Sequence, residues 1–141
     1  MVFLAIWAIR PRLCSVHIQR LNHNPASDRA PSKPIFKTVS YCASKAAVAT
    51  FSKCLGRDHA GDGIRINAVC PGEIDTPMLR SGFIHRGFDP DTAVAELSKS
   101  NPLGRLGDPE DIADAVYFLS SDAARFIAGT ALEVHGAKAV Y

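Results

Sequence analysis

Tyr41 and Lys45 stand four residues apart, a pairing of types that could do chemistry. On a helix that spacing puts both side chains on one face, a turn apart. An ammonium beside a phenol favours the phenolate and lowers the tyrosine pKa from ~10 by one to three units. Such a tyrosine can give and take a proton near neutral pH. Ordinary helical pairs share the spacing, so its weight depends on its surroundings.

The elements that must position this pair read clearly from Ser40 onward. Ala43, Ala47, Phe51 and Leu55 recur every four residues and predict a helix over residues 41–60. Gly56 falls inside it, at a cost of about 1 kcal/mol relative to alanine. Gly61 and Gly63 end the helix, and residues 64–70 (IRINAVC) follow as an apolar strand stopped by Pro71 and Gly72. A helix feeding an apolar strand is the alternation of an α/β protein. Residues 76–104 read as less regular, broken by Gly82, Gly87, Pro90 and Pro102, with a short helix over 91–99. Asp108, Pro109, Glu110 and Asp111 then announce a helix: a capping acid, proline at the first position and acids in the first turn. Its apolar face is Ile112, Ala115, Val116 and Leu119, and residues 130–134 read as a closing strand. Strands 64–70 and 131–134 are expected to be parallel neighbours joined through the Asp108 helix, because parallel strands need such a crossover.

The first third reads differently. The apolar opening MVFLAIWAI is far shorter than the ~18–20 residues of a membrane span and lacks the flanks of a signal peptide, so it reads as a strand. Residues 13–19 alternate weakly as a second strand, and residues 20–37, with three prolines, read as loop. Residues 1–40 carry six Lys/Arg against Asp28 alone, whereas residues 41–141 carry ten bases against thirteen acids. The net charge of +2 and the lack of aromatics among the early bases argue against a nucleic-acid partner. With 47% apolar and 21% charged residues, the 141-residue chain has globular composition and room for one domain or part of one. Cys14, Cys42, Cys54 and Cys70 form neither a C-x-x-C pair nor a zinc-like cluster, so no metal site is expected and the thiols read as reduced. A cytoplasmic protein without a membrane partner is the expectation.

YCASK on a helix, then INAV, then CPGEIDTPM, then NPLGRLGDPEDIADAVYFLSSDAARFIAGTALEVHG together resemble the short-chain dehydrogenase/reductase family over residues 40–136. The resemblance implies a Rossmann-like, doubly wound parallel sheet, here its C-terminal half, with the N-terminal segment irregular. It implies NAD or NADP as cofactor, a small-molecule carbonyl or alcohol as substrate, and a homo-oligomer. Tyr41 would exchange the proton with substrate. Lys45 would hold the nicotinamide ribose and depress the tyrosine pKa. Pro71, Gly72, Ile74 and Thr76 would line the nicotinamide end, with backbone groups and the Thr76 hydroxyl near its carboxamide. Tyr41, Lys45 and residues 71–76 should share one cleft, since ligands of open α/β sheets sit beyond the carboxyl ends of the strands. Substrate is expected beside residues 76–99.

The departures are specific. Asp28 stands where the family's catalytic serine falls, thirteen residues before the tyrosine, and Ser27 and Ser32 are out of register, so the serine is unassigned. All ten glycines lie at or after Gly56, which excludes a glycine-rich phosphate turn in the first 55 residues. The acid that selects between the two nicotinamide cofactors is missing too, and the closing D-G-G turn appears as His135, Gly136 and Ala137. The chain therefore reads as an unassigned lead over residues 1–37, with weak strands and a basic, proline-containing loop, followed by the C-terminal part of such a domain over 38–141. Two functional readings follow: an oxidoreductase whose isolated chain turns over nothing, or a non-catalytic remnant serving as an oligomerisation module.

Overall fold

The computed structural model describes residues 4–9, 12–18 and 36–138, with side-chain surroundings from residue 42. Strands β1 (Leu4–Ile9) and β2 (Arg12–Ile18) are followed by helix α1 (Phe36–Asp58) and strand β3 (Arg65–Pro71). Helices α2 (Pro77–His85), α3 (Pro90–Lys99) and α4 (Pro109–Ser120) lead to strand β4 (Ala131–Val134). One sheet has the order β1-β2-β3-β4. β1 and β2 are antiparallel, whereas β2–β3 and β3–β4 are parallel, with Val69 opposite Leu132. The expected parallel pairing of the last two strands is present, and α4 lies within their crossover. Both early strand signals are strands, and β2 carries the parallel sheet toward the N-terminus. The loop expected over residues 20–37 lies mostly outside the described residues; positions 36 and 37 open α1.

Every residue of β3 is buried, as a strand covered on both faces requires. Side chains alternate across it. Val69 packs with Ile112, Leu119 and Ala124, which puts the odd positions toward α4. On that side the buried Arg65 donates to the carbonyls of Leu119 at 2.6 Å and Ser121 at 3.2 Å, satisfying the end of α4. The buried Asn67 donates to the Ile127 carbonyl and accepts the Thr130 N–H, both at 3.1 Å, tying the chain entering β4 to β3. The other face of β3 receives α1.

The periodicity that marks α1 is not the stripe that meets the sheet. Ala43, Ala47 and Phe51 are exposed, Phe51 by 58%, while Lys45, Ser52 and Gly56 are buried. The reason is distance. An added Cβ at Gly56 would stand 2.6 Å from Gly129 Cα and 2.7 Å from the Ile66 carbonyl oxygen, so α1 seats on β3 through its smallest residues. Gly56 is thus a contact that needs glycine, not a flaw in the helix.

The less regular stretch holds the short helix expected over 91–99, as α3, and a second helix, α2, that was not expected. Thr76 accepts the Leu79 N–H at 3.3 Å and caps α2, with Pro77 at its start. Asp89 likewise accepts the Thr92 N–H at 2.8 Å and caps α3, so Pro90 opens a helix instead of breaking one. Gly82 sits inside α2, and Gly87, at φ +81°, turns the chain between the two. At α4 the Asp111 carboxylate accepts the Asp108 N–H at 2.8 Å, as the acids there suggested. Among the described residues no helix is long and apolar enough to cross a membrane.

Burial on β3 has a chemical consequence. Burial, with the nearby Glu133 charge adding to it, pushes the Cys70 thiol up to about 11, whereas Cys54 is exposed. Because the thiolate is the reactive form, iodoacetamide at pH 8 should label Cys54 and spare Cys70 until the protein unfolds. Peptide mass spectrometry after a short pulse reads this. Equal labelling of both in the folded protein would contradict the burial of β3.

Candidate functional site

The direction of α1 decides which end of the sheet its functional face serves. Gly56 abuts the Ile66 carbonyl near the start of β3, and only residues 59–64 separate the end of α1 from the strand it packs against. α1 therefore runs antiparallel to β3, and its N-terminal half, with Tyr41 and Lys45, lies toward the carboxyl ends of the strands. Tyr41 and Lys45 are one helical turn apart, and Lys45 is buried. The Tyr41 side chain, and with it the expectation that its hydroxyl faces residues 71–76, lies outside the described residues, as does Asp28.

At the carboxyl end of β3 the chain is held tightly. The Gly72 N–H donates to the Val134 carbonyl at 2.9 Å, and an added Cβ at Gly72 would stand 2.6 Å from His135 Cβ. Beyond it, Ile74 forms a parallel bridge with Gly107. The bridge uses the Glu73 carbonyl, which accepts from Gly107 N–H at 3.0 Å, and the Asp75 N–H, which donates to the Gly107 carbonyl at 2.8 Å. The N–H and C=O of Ile74 itself consequently point away from Gly107 and have no backbone partner among the described residues. The Thr76 oxygen accepts the Leu79 N–H, which leaves its proton to donate elsewhere. The structure thus brings Pro71, Gly72, Ile74 and Thr76 into one loop at the strand ends, with α1 packed against the strand that leads into it.

This donor set suits a nicotinamide riboside. A carboxamide needs one acceptor and one donor, which the Ile74 N–H and C=O supply; a ribose suits an ammonium, and the Thr76 hydroxyl adds a further donor. It offers nothing for the pyrophosphate, and no glycine precedes Gly56 to build a seat for it. Among the described residues no group of three or more His, Cys, Asp or Glu converges as metal ligands would.

Charges organise the rim, and sequence reading left them unassigned. Arg80 forks onto Asp75 with both contacts at 2.7 Å and reaches Asp91 at 2.7 Å. The Arg80 guanidinium holds the Asp75 carboxyl below the usual carboxylate range. Lys138 donates to Glu73 at 2.6 Å. A cleft of about 740 Å³ lies against α2 and α3, walled by Phe83, Phe88, Ala93 and Leu97 with Arg86 and Lys138 at its polar side.

Arg105 grips Asp111 with contacts of 2.7 and 2.9 Å. That fork, with the Asp108 N–H adding to it, holds the Asp111 carboxyl down at about 2, below its ordinary 3.8. A depressed carboxylate contributes stability above its unfolded pKa and loses it as pH falls through the folded one. The urea midpoints of the parent and of Asp111→Asn should therefore differ at pH 7 and converge between pH 4 and pH 2. A constant difference across that window would contradict the assignment.

Parallel strands β2, β3 and β4 with a helix on each face, and a loop at their carboxyl ends, define a Rossmann-type α/β protein. Residues 29–136 match the family described as enoyl-(acyl carrier protein) reductase, and the chain belongs to the short-chain dehydrogenase/reductase family. It is 40% identical over 98 residues to 2-(S)-hydroxypropyl-CoM dehydrogenase 3 of Xanthobacter autotrophicus, covering 70% of this chain and 38% of that one. Its fold is similar to ligand-free aldohexose dehydrogenase of Thermoplasma acidophilum, with TM-score 0.73 and 34% identity over 89% of this chain and 47% of that one. It is also similar to an NADPH-bound short chain oxidoreductase of Pseudomonas aeruginosa, with TM-score 0.70 and 26% identity over 91% and 46%. The chain spans about two-fifths of that curated relative and less than half of those solved structures.

Proposed function

We propose that these residues form the nicotinamide and proton-transfer end of an oxidoreductase that interconverts a small carbonyl compound and its alcohol with NAD or NADP. The observation that carries this reading is the pairing of Ile74's outward N–H and C=O with an α1 whose N-terminal half runs toward the same end of the sheet. When bound, the cofactor supplies or accepts the hydride. Tyr41 holds the proton that the substrate oxygen takes or gives. Lys45 orients the ribose and favours the phenolate form of Tyr41. Ile74 and Thr76 fix the carboxamide, and the apolar cleft against α2 and α3 receives the body of the substrate. Phe51 on α1 and Tyr117 on α4, 58% and 78% exposed, suit association with a second copy of the chain.

Residues 1–141 alone are expected to transfer no hydride, because no glycine precedes Gly56 to form the turn that seats the pyrophosphate, and positioning supplies ~7–11 kcal/mol of such barriers. The test joins residues 36–138 behind the amino-terminal portion of a family member that carries the glycine-rich turn. NADPH-dependent reduction by the fusion, across a panel of ketones, with none by residues 1–141, is the expected result. A folded fusion that binds NADPH yet reduces nothing would contradict the reading.

A further inference from the structure

Two carboxylates flank Ile74, and each is held by a cation that also reaches α3. Arg80 links Asp75 to Asp91 in the first turn of α3. Lys138 Nζ links Glu73 at 2.6 Å to Ser100 Oγ at 2.8 Å, where α3 ends. The two bridges differ in their exposure to water. Arg80 and Asp91 are 38% and 82% exposed, so that pair is screened and weak. Lys138 and Glu73 are 19% and 15% exposed, and removing either partner strands a largely buried charge.

The turn that delivers Lys138 is built for the purpose. Gly136 and Ala137 both take left-handed backbone, at φ +64° and +62°. Alanine is strained there, and such strain persists only where its surroundings hold it. Asn101, itself buried, donates to the His135 carbonyl at 3.3 Å, and an added Cβ at Gly136 would stand 2.5 Å from Asn101 Oδ1. The turn is clamped from below, and the next residue is Lys138.

We propose that Lys138 is a positioning residue. Through Glu73 and Ser100 it fixes residues 72–76 against the end of α3, and so sets where the N–H and C=O of Ile74 stand. The closing turn of the chain thereby governs the grip on the carboxamide, a consequence that rests on the nicotinamide reading above; the mechanical coupling stands without it.

Hydrogen exchange on the 141-residue protein tests the coupling directly. In K138M the hydrogen-bonded amides of Gly72 and Asp75, and those of residues 98–101, should exchange about ten-fold faster, with those of α4 changed by less than about two-fold. K138R should restore parental protection, and the charge-swapped pair E73K/K138E should recover most of it. Unchanged protection at Gly72 and Asp75 in K138M overturns the proposal, and so does an equal rise in α4. Should K138M not fold, S100A, which keeps the Glu73 pair, must loosen residues 98–101 ahead of α4 or the proposal fails. In the fusion, K138M should raise the KM for NADPH about ten-fold, and K138R should bring it back to the parental value. A parental fusion without turnover would remove the nicotinamide reading and leave the exchange result standing.

Discussion

Gly56→Ala is expected to lower stability by about 2 kcal/mol, although helix propensity alone favours alanine by about 1 kcal/mol. The added Cβ meets Gly129 Cα and N at 2.6 Å and the Ile66 carbonyl oxygen at 2.7 Å, all of them backbone atoms. Backbone cannot swing aside as a side chain can, so the cost belongs at the upper end of the ~1–3 kcal/mol of overpacking and outweighs the propensity gain. A fall in Tm of roughly 5–10 °C should result in a chain of this size. Gly61→Ala is the control, since a Cβ there meets nothing within 4 Å. Parental or raised Tm in Gly56→Ala would show that α1 does not seat on β3 at this distance. The effect should extend to the site, because Lys45 lies eleven residues up the same rigid helix, about 16 Å from the contact, and moves with any lift at Gly56.

That contact also marks where sequence reading reached its limit. β3 and α4 were legible because their signals are local: a short apolar run closed by Pro71 and Gly72, and Asp108 with Pro109 opening an apolar face that ends in Leu119. The helix of α1 was legible from its period, but its buried face was not. Close approach to a sheet selects small and polar residues such as Ser52 and Gly56, which carry no hydrophobic signal. α2 was hidden by Gly82 and by prolines that open helices as readily as they end them. Of the candidate site, Pro71, Gly72, Ile74 and Thr76 could be named from a motif. The outward N–H and C=O of Ile74 could not, because they depend on Gly107, thirty-three residues away. Glu73 and Lys138 are sixty-five apart, and no periodicity links them.

The largest expected effect falls on Tyr41. Phenylalanine keeps the ring and removes only the hydroxyl, so a loss of rate reports the proton alone. General acid–base groups contribute about 10²–10⁴-fold, and Tyr41→Phe in the fusion should lose that much kcat at saturating NADPH, with little change in the KM for NADPH. On the proposed role of Lys45 in favouring the phenolate, Lys45→Met should move the pH limb of alcohol oxidation upward by one to three units. The most direct measurement is the ratio of kcat in the folded, NADPH-saturated fusion before and after Tyr41→Phe. A fall of at least about 100-fold is the predicted result. Turnover within about two-fold of the parent would place the proton elsewhere and contradict the role given to α1.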